Sequence, residues 1–215
     1  MALNPSKEAI LKRIRQGLTR RNALPPEPNF TSDIYSRSPE EDLSVVFAQQ
    51  FLQHKGEFYF VENEKELCDV LSTVASVKAF KNIYVWEKAL IDMLEPSALV
   101  FETSEKDFTE AGVGITTCEV LIARTGSVLV SSAELSGRRL SIYPHIHIVI
   151  ARTSQLVYDI KDGLEFMRST YGANLPSMIC LETGPSRTAD IEKTLVLGAH
   201  GPKELLVFLI DDSTH

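Results

Sequence analysis

The stretch Gly184-Pro185-Ser186-Arg187-Thr188-Ala189-Asp190-Ile191-Glu192 gathers in one place most of the groups that a small anion-binding site needs. It directly follows an apolar, strand-like run, Ser177 to Leu181. Gly184 and Pro185 favour a turn, and the hydroxyls of Ser186 and Thr188 suit the start of a helix, whose free N–H groups attract anions. Arg187 offers a forked, permanently charged donor to a carboxylate or phosphate. Asp190 and Glu192 are candidate acid or base groups. The competing reading is structural: Ser186 or Thr188 caps a short helix while Arg187 and Asp190 pair to hold the loop. In open parallel sheets such a loop is expected in the crevice beyond the carboxyl ends of the strands.

A second loop, Gly198-Ala199-His200-Gly201-Pro202, sets two glycines around a histidine just before a final apolar run. Its backbone can approach another group closely, with Gly201 beside the ligand and His200 as acid, base or hydrogen-bond donor. A structural hydrogen bond from His200 to loop backbone is the alternative. Thr125-Gly126-Ser127 lies between two short apolar runs, where it makes either a plain turn or a third set of hydroxyl and N–H donors. His145-x-His147 puts two imidazoles on one face of a strand, but lacks a local third metal ligand, so satisfied structural histidines are expected. Gly112-Val113-Gly114 begins like a dinucleotide fingerprint, but threonine stands at its third glycine position. The sequence has no Walker A loop, HExxH or EF-hand loop.

These loops need a scaffold. Asn4-Pro5 reads as a helix start, followed by an apolar stripe at Ile10, Leu11, Ile14 and Leu18 on a basic helix. Pro25, Pro26, Pro28 and Pro39 mark an extended arm, so the chain divides into an N-terminal helix and arm over 1–40 and a body over 41–215. In the body, helix faces (Leu43, Val46, Phe47, Phe51, closed by Gly56; Leu67, Val70, Leu71, Val74; Ile160, Leu164, Met167) alternate with strand-like runs. Those runs are 58–61, 83–86, 113–115, 120–123, 127–130, Ile142 with 146–150, 177–181 and 205–210. Apolar runs without strict alternation suit strands covered on both faces. The expected fold class is α/β, a three-layer α/β/α sandwich with a mostly parallel sheet.

Composition bounds the function. With 215 residues, 44% of them hydrophobic, the body can bury a core without disulfides or a structural metal. A net charge of −7 argues against a general nucleic-acid binder. No apolar run reaches the roughly 18 residues of a membrane span, and a cytoplasmic location is expected. Cys68, Cys118 and Cys180 are scattered, so this chain alone cannot ligate a four-cysteine iron–sulfur cluster, and no cofactor is expected in it.

The Gly184–Glu192 stretch, the His200-Gly201-Pro202 loop and the Thr125-Gly126 turn, in this order and spacing, resemble the lactate-utilisation (LUD) domain family, in its lactate utilisation protein C branch. The resemblance spans nearly the whole chain. It implies a fold similar to the CoA-transferase and ribose-phosphate-isomerase group. It further implies an accessory role in oxidising L-lactate to pyruvate beside partner proteins that carry iron–sulfur clusters. Candidate binding positions carried over are Thr125, Gly126, Ser186, Arg187, Thr188, Asp190, Glu192 and His200, with a small anion as ligand. Catalysis and self-association stay open. Fold similarity does not transfer chemistry, and a free-standing enzyme acting on a phosphorylated sugar, CoA ester or folate-like acid is the alternative.

Overall fold

The computed structural model describes residues 5–19, 42–106, 108–188, 196–198 and 200–213. The chain divides into two compact units, residues 1–36 and 37–215. In the first, helix α1 (Pro5–Thr19) forms where the Asn4-Pro5 start predicts it, with Ile10, Leu11 and Ile14 exposed. The arm's Pro25, Pro26, Pro28 and Pro39 lie outside the described residues.

The second unit opens with helix α2 (Leu43–Gln53), whose N-cap Asp42 accepts a hydrogen bond from the Ser44 amide at 2.8 Å. Phe47 and Phe51, four residues apart, bury one face. The helix closes at His54, and Lys55, not the expected Gly56, takes the left-handed conformation with φ 70°. Strand β1 (Glu57–Val61) leads to α3 (Glu64–Val77), whose cap Asn63 accepts from the Glu66 amide at 3.0 Å. Strand β2 (Ile83–Val85) precedes α4 (Lys88–Leu94), a helix of two turns that the sequence pattern did not reveal. Then come β3 (Val113–Thr116), β4 (Val120–Ile122), β5 (Ser127–Ser131), β6 (Ile146–Arg152), β7 (Leu156–Val157) and α5 (Ile160–Tyr171). The chain closes with β8 (Ile179–Glu182), β9 (Arg187–Thr188), β10 (Val196–Leu197) and β11 (Glu204–Ile210). Ile142, read as part of the sheet, sits in a turn instead.

The strands divide between sheets. Five form an all-parallel sheet in the order β1-β11-β6-β3-β2. Four form a small mixed sheet, β7-β4-β5-β8, and β9 pairs antiparallel with β10. One face of the parallel sheet packs on Leu67 and Leu71 of α3 and Leu90 and Leu94 of α4. Its other face, through Val149, Ala151, Leu205, Val207 and Leu209, meets Phe47 and Phe51 of α2 together with Leu121, Val128 and Val130 of the mixed sheet. The outer face of the mixed sheet packs Val120, Ile122 and Leu129 against Met167 of α5. The α/β class and the parallel sheet agree with the sequence. The three-layer expectation is corrected, because strands as well as a helix cover one face of the parallel sheet and α5 lies outside them. Strands β4 and β5 of the mixed sheet have apolar runs for the same reason as β6 and β11 of the parallel one: each is buried on two faces.

Candidate functional site

Two of the three turns singled out in the sequence press on the end of α2, and the third joins them through Ser186. Gly126 caps a short 3-10 turn (Ala123–Thr125) with φ +58°, and a Cβ there would lie 2.5 Å from the Phe51 backbone nitrogen. Gly184 has φ +77°, and a Cβ on it would lie 2.4 Å from the His54 carbonyl oxygen. Both glycines therefore let a loop press against helix backbone in a conformation that other residues resist. The buried Ser127 hydroxyl joins the two turns, 2.8 Å from the Thr125 hydroxyl and 2.7 Å from that of Thr183.

The Gly184 and Gly198 loops are joined through backbone. The Ser186 amide donates to the Pro202 carbonyl at 2.8 Å, and the Gly198 amide donates to the Ser186 carbonyl at 2.9 Å. Gly201 lies against Ser186, with a built Cβ 3.1 Å from that residue's Cβ. Arg187 is exposed and donates one guanidinium N–H to the His54 carbonyl at 2.9 Å, capping α2 at its negative end. His200 is exposed on the second loop. Thr188 contributes backbone to β9, and Asp190 and Glu192 lie outside the described residues. The structure thus brings together Thr125, Gly126, Ser127, Gly184, Ser186, Arg187 and Gly201 and leaves His200 facing solvent.

The rim they form is not the one expected. The Lys203 and Glu204 amides donate to the His145 carbonyl at 2.7 and 3.2 Å, so the Gly198–Pro202 loop sits at the amino ends of β11 and β6. The Gly184 loop does leave the carboxyl end of a strand, but that strand is β8 of the mixed sheet. Arg187 and Lys203 place positive charge on this rim of an otherwise acidic chain.

Beneath the rim lies a residue the sequence did not single out. Glu182, the last residue of β8, holds Nδ1 of the buried His147 at 2.9 Å, and Nε2 of His147 is 2.9 Å from the Thr116 hydroxyl. His147 is therefore a satisfied core histidine, while His145 precedes the strand and is exposed, so the two do not form a metal pair. Glu182 reads in sequence as the polar end of an apolar strand, and its meaning depends on a pairing the sequence does not display.

Arg124, just before the Thr125 turn, holds Asp159 with two contacts of 2.9 Å from Nε and Nη2. This hydrogen bonding holds the Asp159 carboxyl below its ordinary range despite partial burial. A depressed carboxyl contributes stability that is present above its unfolded pKa, near 3.9, and is lost as pH falls through the lower folded value. Arg124→Ala is expected to lower stability by about 1–3 kcal/mol at neutral pH. In urea unfolding the deficit should close as the pH is lowered below the unfolded carboxyl value; a deficit that persists undiminished there contradicts this account of the pair.

A second polar cluster, also missed in the sequence, occupies the carboxyl ends of β2 and β3. Buried Glu87 accepts from the Thr117 amide at 3.0 Å, the Thr117 hydroxyl at 2.6 Å and the Ser136 hydroxyl. Glu119 accepts from Ser131 at 2.5 Å and from Tyr171 at 2.9 Å. Burial first, then the Glu119 carboxylate, pushes the Tyr171 hydroxyl up to about 12. Burial, followed by the charges of Glu87 and Glu119, raises the Glu134 carboxyl. Carboxyls of unlike environment can divide acid and base roles. A separate groove of about 610 Å³ between α2 and β1, lined by Val45, Leu52, Phe58 and Phe60 among others, shares no residue with either cluster.

The LUD domain matches residues 45–210, which hold all three turns. An uncharacterized protein of Neisseria meningitidis is 29% identical over 95% of this chain and 93% of its own length. A protein of Oceanobacillus iheyensis named lactate utilization protein C is 32% identical over 82% of this chain and 73% of its own. The crystal structure of a DUF162 family protein from Deinococcus radiodurans superposes with a TM-score of 0.53 at 21% identity, covering 78% of this chain and 96% of that one, a likeness of fold. With its domain match extending over both sheets and both loops, this chain belongs to the LUD domain family.

Proposed function

We propose that this chain is the accessory, non-iron–sulfur component of a system that oxidises L-lactate to pyruvate, and that its loop rim binds a small carboxylate. The observation that carries the reading is the meeting of the Thr125, Gly184 and Gly198 turns around Ser186 and Arg187, in a family whose relatives are named for lactate utilization. The exposed Arg187 guanidinium, with N–H donors beyond the one spent on the His54 carbonyl, and the neighbouring Ser186 hydroxyl are the donors that a carboxylate would take without proton transfer. With three cysteines at scattered positions, the redox centres belong in iron–sulfur partner proteins, and this chain contributes binding and organisation.

Deleting the gene in its host is expected to abolish growth on L-lactate while leaving growth on glucose intact. The tagged full chain should bring down cysteine-rich iron–sulfur proteins. Normal growth of the deletion strain on L-lactate, with no such protein retained, sinks this reading.

The cluster at Glu87, Glu119 and Glu134 supports a second reading, a free-standing enzyme acting on a phosphorylated sugar, CoA ester or folate-like acid. Thermal denaturation in the presence of these compounds separates the two. A ligand at 100 times its dissociation constant adds about 2.7 kcal/mol of stability, and the accessory reading expects stabilisation by small carboxylates instead.

A further inference from the structure

Both ring nitrogens of the fully buried His147 lie at hydrogen-bond distance from a polar side-chain atom, Nδ1 at 2.9 Å from Oε2 of Glu182 and Nε2 at 2.9 Å from Oγ1 of Thr116. The single hydroxyl proton of Thr116 is directed elsewhere. It points to the Thr117 carbonyl, 2.8 Å away, because a carbonyl oxygen only accepts. Oγ1 of Thr116 must then receive its bond from Nε2–H. The contact at Nδ1 needs a proton too, and the ring carries it, because an imidazole is a stronger base than a carboxylate. A neutral imidazole beside an ionised carboxylate holds one proton and can fill one of the two contacts. All three hydrogen bonds are made when the pair holds two.

We infer that the His147–Glu182 pair is held in its two-proton form and that the second proton positions the loop rim; the functional part of this inference rests on the reading of that rim as an anion site. His147 is the second residue of β6, and Glu182 ends β8, so the pair ties the parallel sheet to the mixed sheet where the Gly184 loop departs. The next residue, Thr183, meets Ser127 across the rim. Loss of the second proton leaves an uncompensated negative charge in a buried place and empties one contact. It also sets that charge under a site meant for an anion.

Among the described residues, the side chains around the pair offer no substitute proton. Thr116 of β3 is neutral, and Leu205 of β11, the register partner of His147, is apolar. The thiols bearing on Glu182 are Cys180 of β8 and Cys118, between β3 and β4. Both are pushed up by burial first, with the Glu182 charge a lesser cause. His147 and Glu182 are therefore positioning residues that act on the rim through Thr183.

Histidine nitrogen NMR on the full chain from about pH 5 to about pH 8, with His147→Gln assigning the signal, reads the proton count directly. At the acid end both ring nitrogens of His147 should carry protons. As the second proton leaves, hydrogen-exchange protection of the Ser186 and Gly198 amides should fall about tenfold or more. Glu182→Gln supplies an N–H to Nδ1, so a neutral ring then makes both contacts. That variant should keep its protected rim and lose the pH response. A singly protonated His147 at the acid end, rim protection that ignores its protonation, or an unchanged response in Glu182→Gln overturns the inference. Titrating the same samples with sodium L-lactate keeps the two claims apart. Absence of binding at every pH removes the anion site, while the nitrogen signals still decide the proton count; binding of equal affinity in both protonation states contradicts the coupling.

Discussion

Gly126→Ala is expected to cost about 3–5 kcal/mol of folding stability, the sum of a non-glycine residue held at positive φ and a methyl group forced into packed backbone. The residue has φ +58°, and its new Cβ would stand 2.5 Å from the Phe51 nitrogen and 2.6 Å from the Gln50 carbonyl carbon. Neither atom can swing aside, because both belong to the frame of α2, whose Phe47 and Phe51 rings are stacked in the core at 5.3 Å. A domain has about 5–15 kcal/mol in total, so this change removes a large share of it. Urea unfolding monitored by the single tryptophan, the buried Trp86, measures the loss. A loss below about 1 kcal/mol would mean that the turn does not press on α2 as described.

Arg187→Glu is expected to weaken binding of L-lactate by about 10- to 100-fold, the range that follows from removing one charge-assisted hydrogen bond. The reversed charge also repels the carboxylate. Arg187 has a structural contact as well, to the His54 carbonyl. Arg187→Gln separates the roles, since its amide can still donate to that carbonyl while the charge is gone. Calorimetric titration should find both variants weak and Arg187→Gln close to the parent in melting temperature. Parent-like affinity in Arg187→Glu would remove this residue from the site.

Which parts were legible in the sequence follows from range. Helix faces such as Phe47 with Phe51 and Leu67 with Leu71 are local patterns, and the structure places them where periodicity does. The Ile146–Ile150 and Leu205–Ile210 runs declare themselves as doubly covered strands. The division into two sheets is not local. Val120–Ile122 packs between the sheets on one face and under α5 on the other, so it reads like any strand of a parallel sheet. Expecting one sheet led to expecting the ligand rim at its carboxyl ends. The loops lie at the amino ends of β6 and β11, because β8, which delivers the Gly184 loop, belongs to the other sheet.

The glycine turns were visible because backbone at positive φ and close approach to a helix leave a residue-type signature. Glu182 and Glu87 leave none. Each is a single acidic residue at a strand end, and only the pairing of distant strands brings His147, 35 residues away, to the first and Ser136, 49 residues away, to the second. Helix α4 was missed because seven residues are too few for a periodic stripe to stand out.

The most direct test of the account is amide NMR of the full chain during titration with sodium L-lactate. Saturable shifts are expected at Ser186, Arg187, Gly198 and Gly201, and are expected to be absent in Arg187→Glu. Shifts confined to Thr117, Cys118 and Ser136 around the Glu87 carboxylate, or no saturable shift at all, would contradict it.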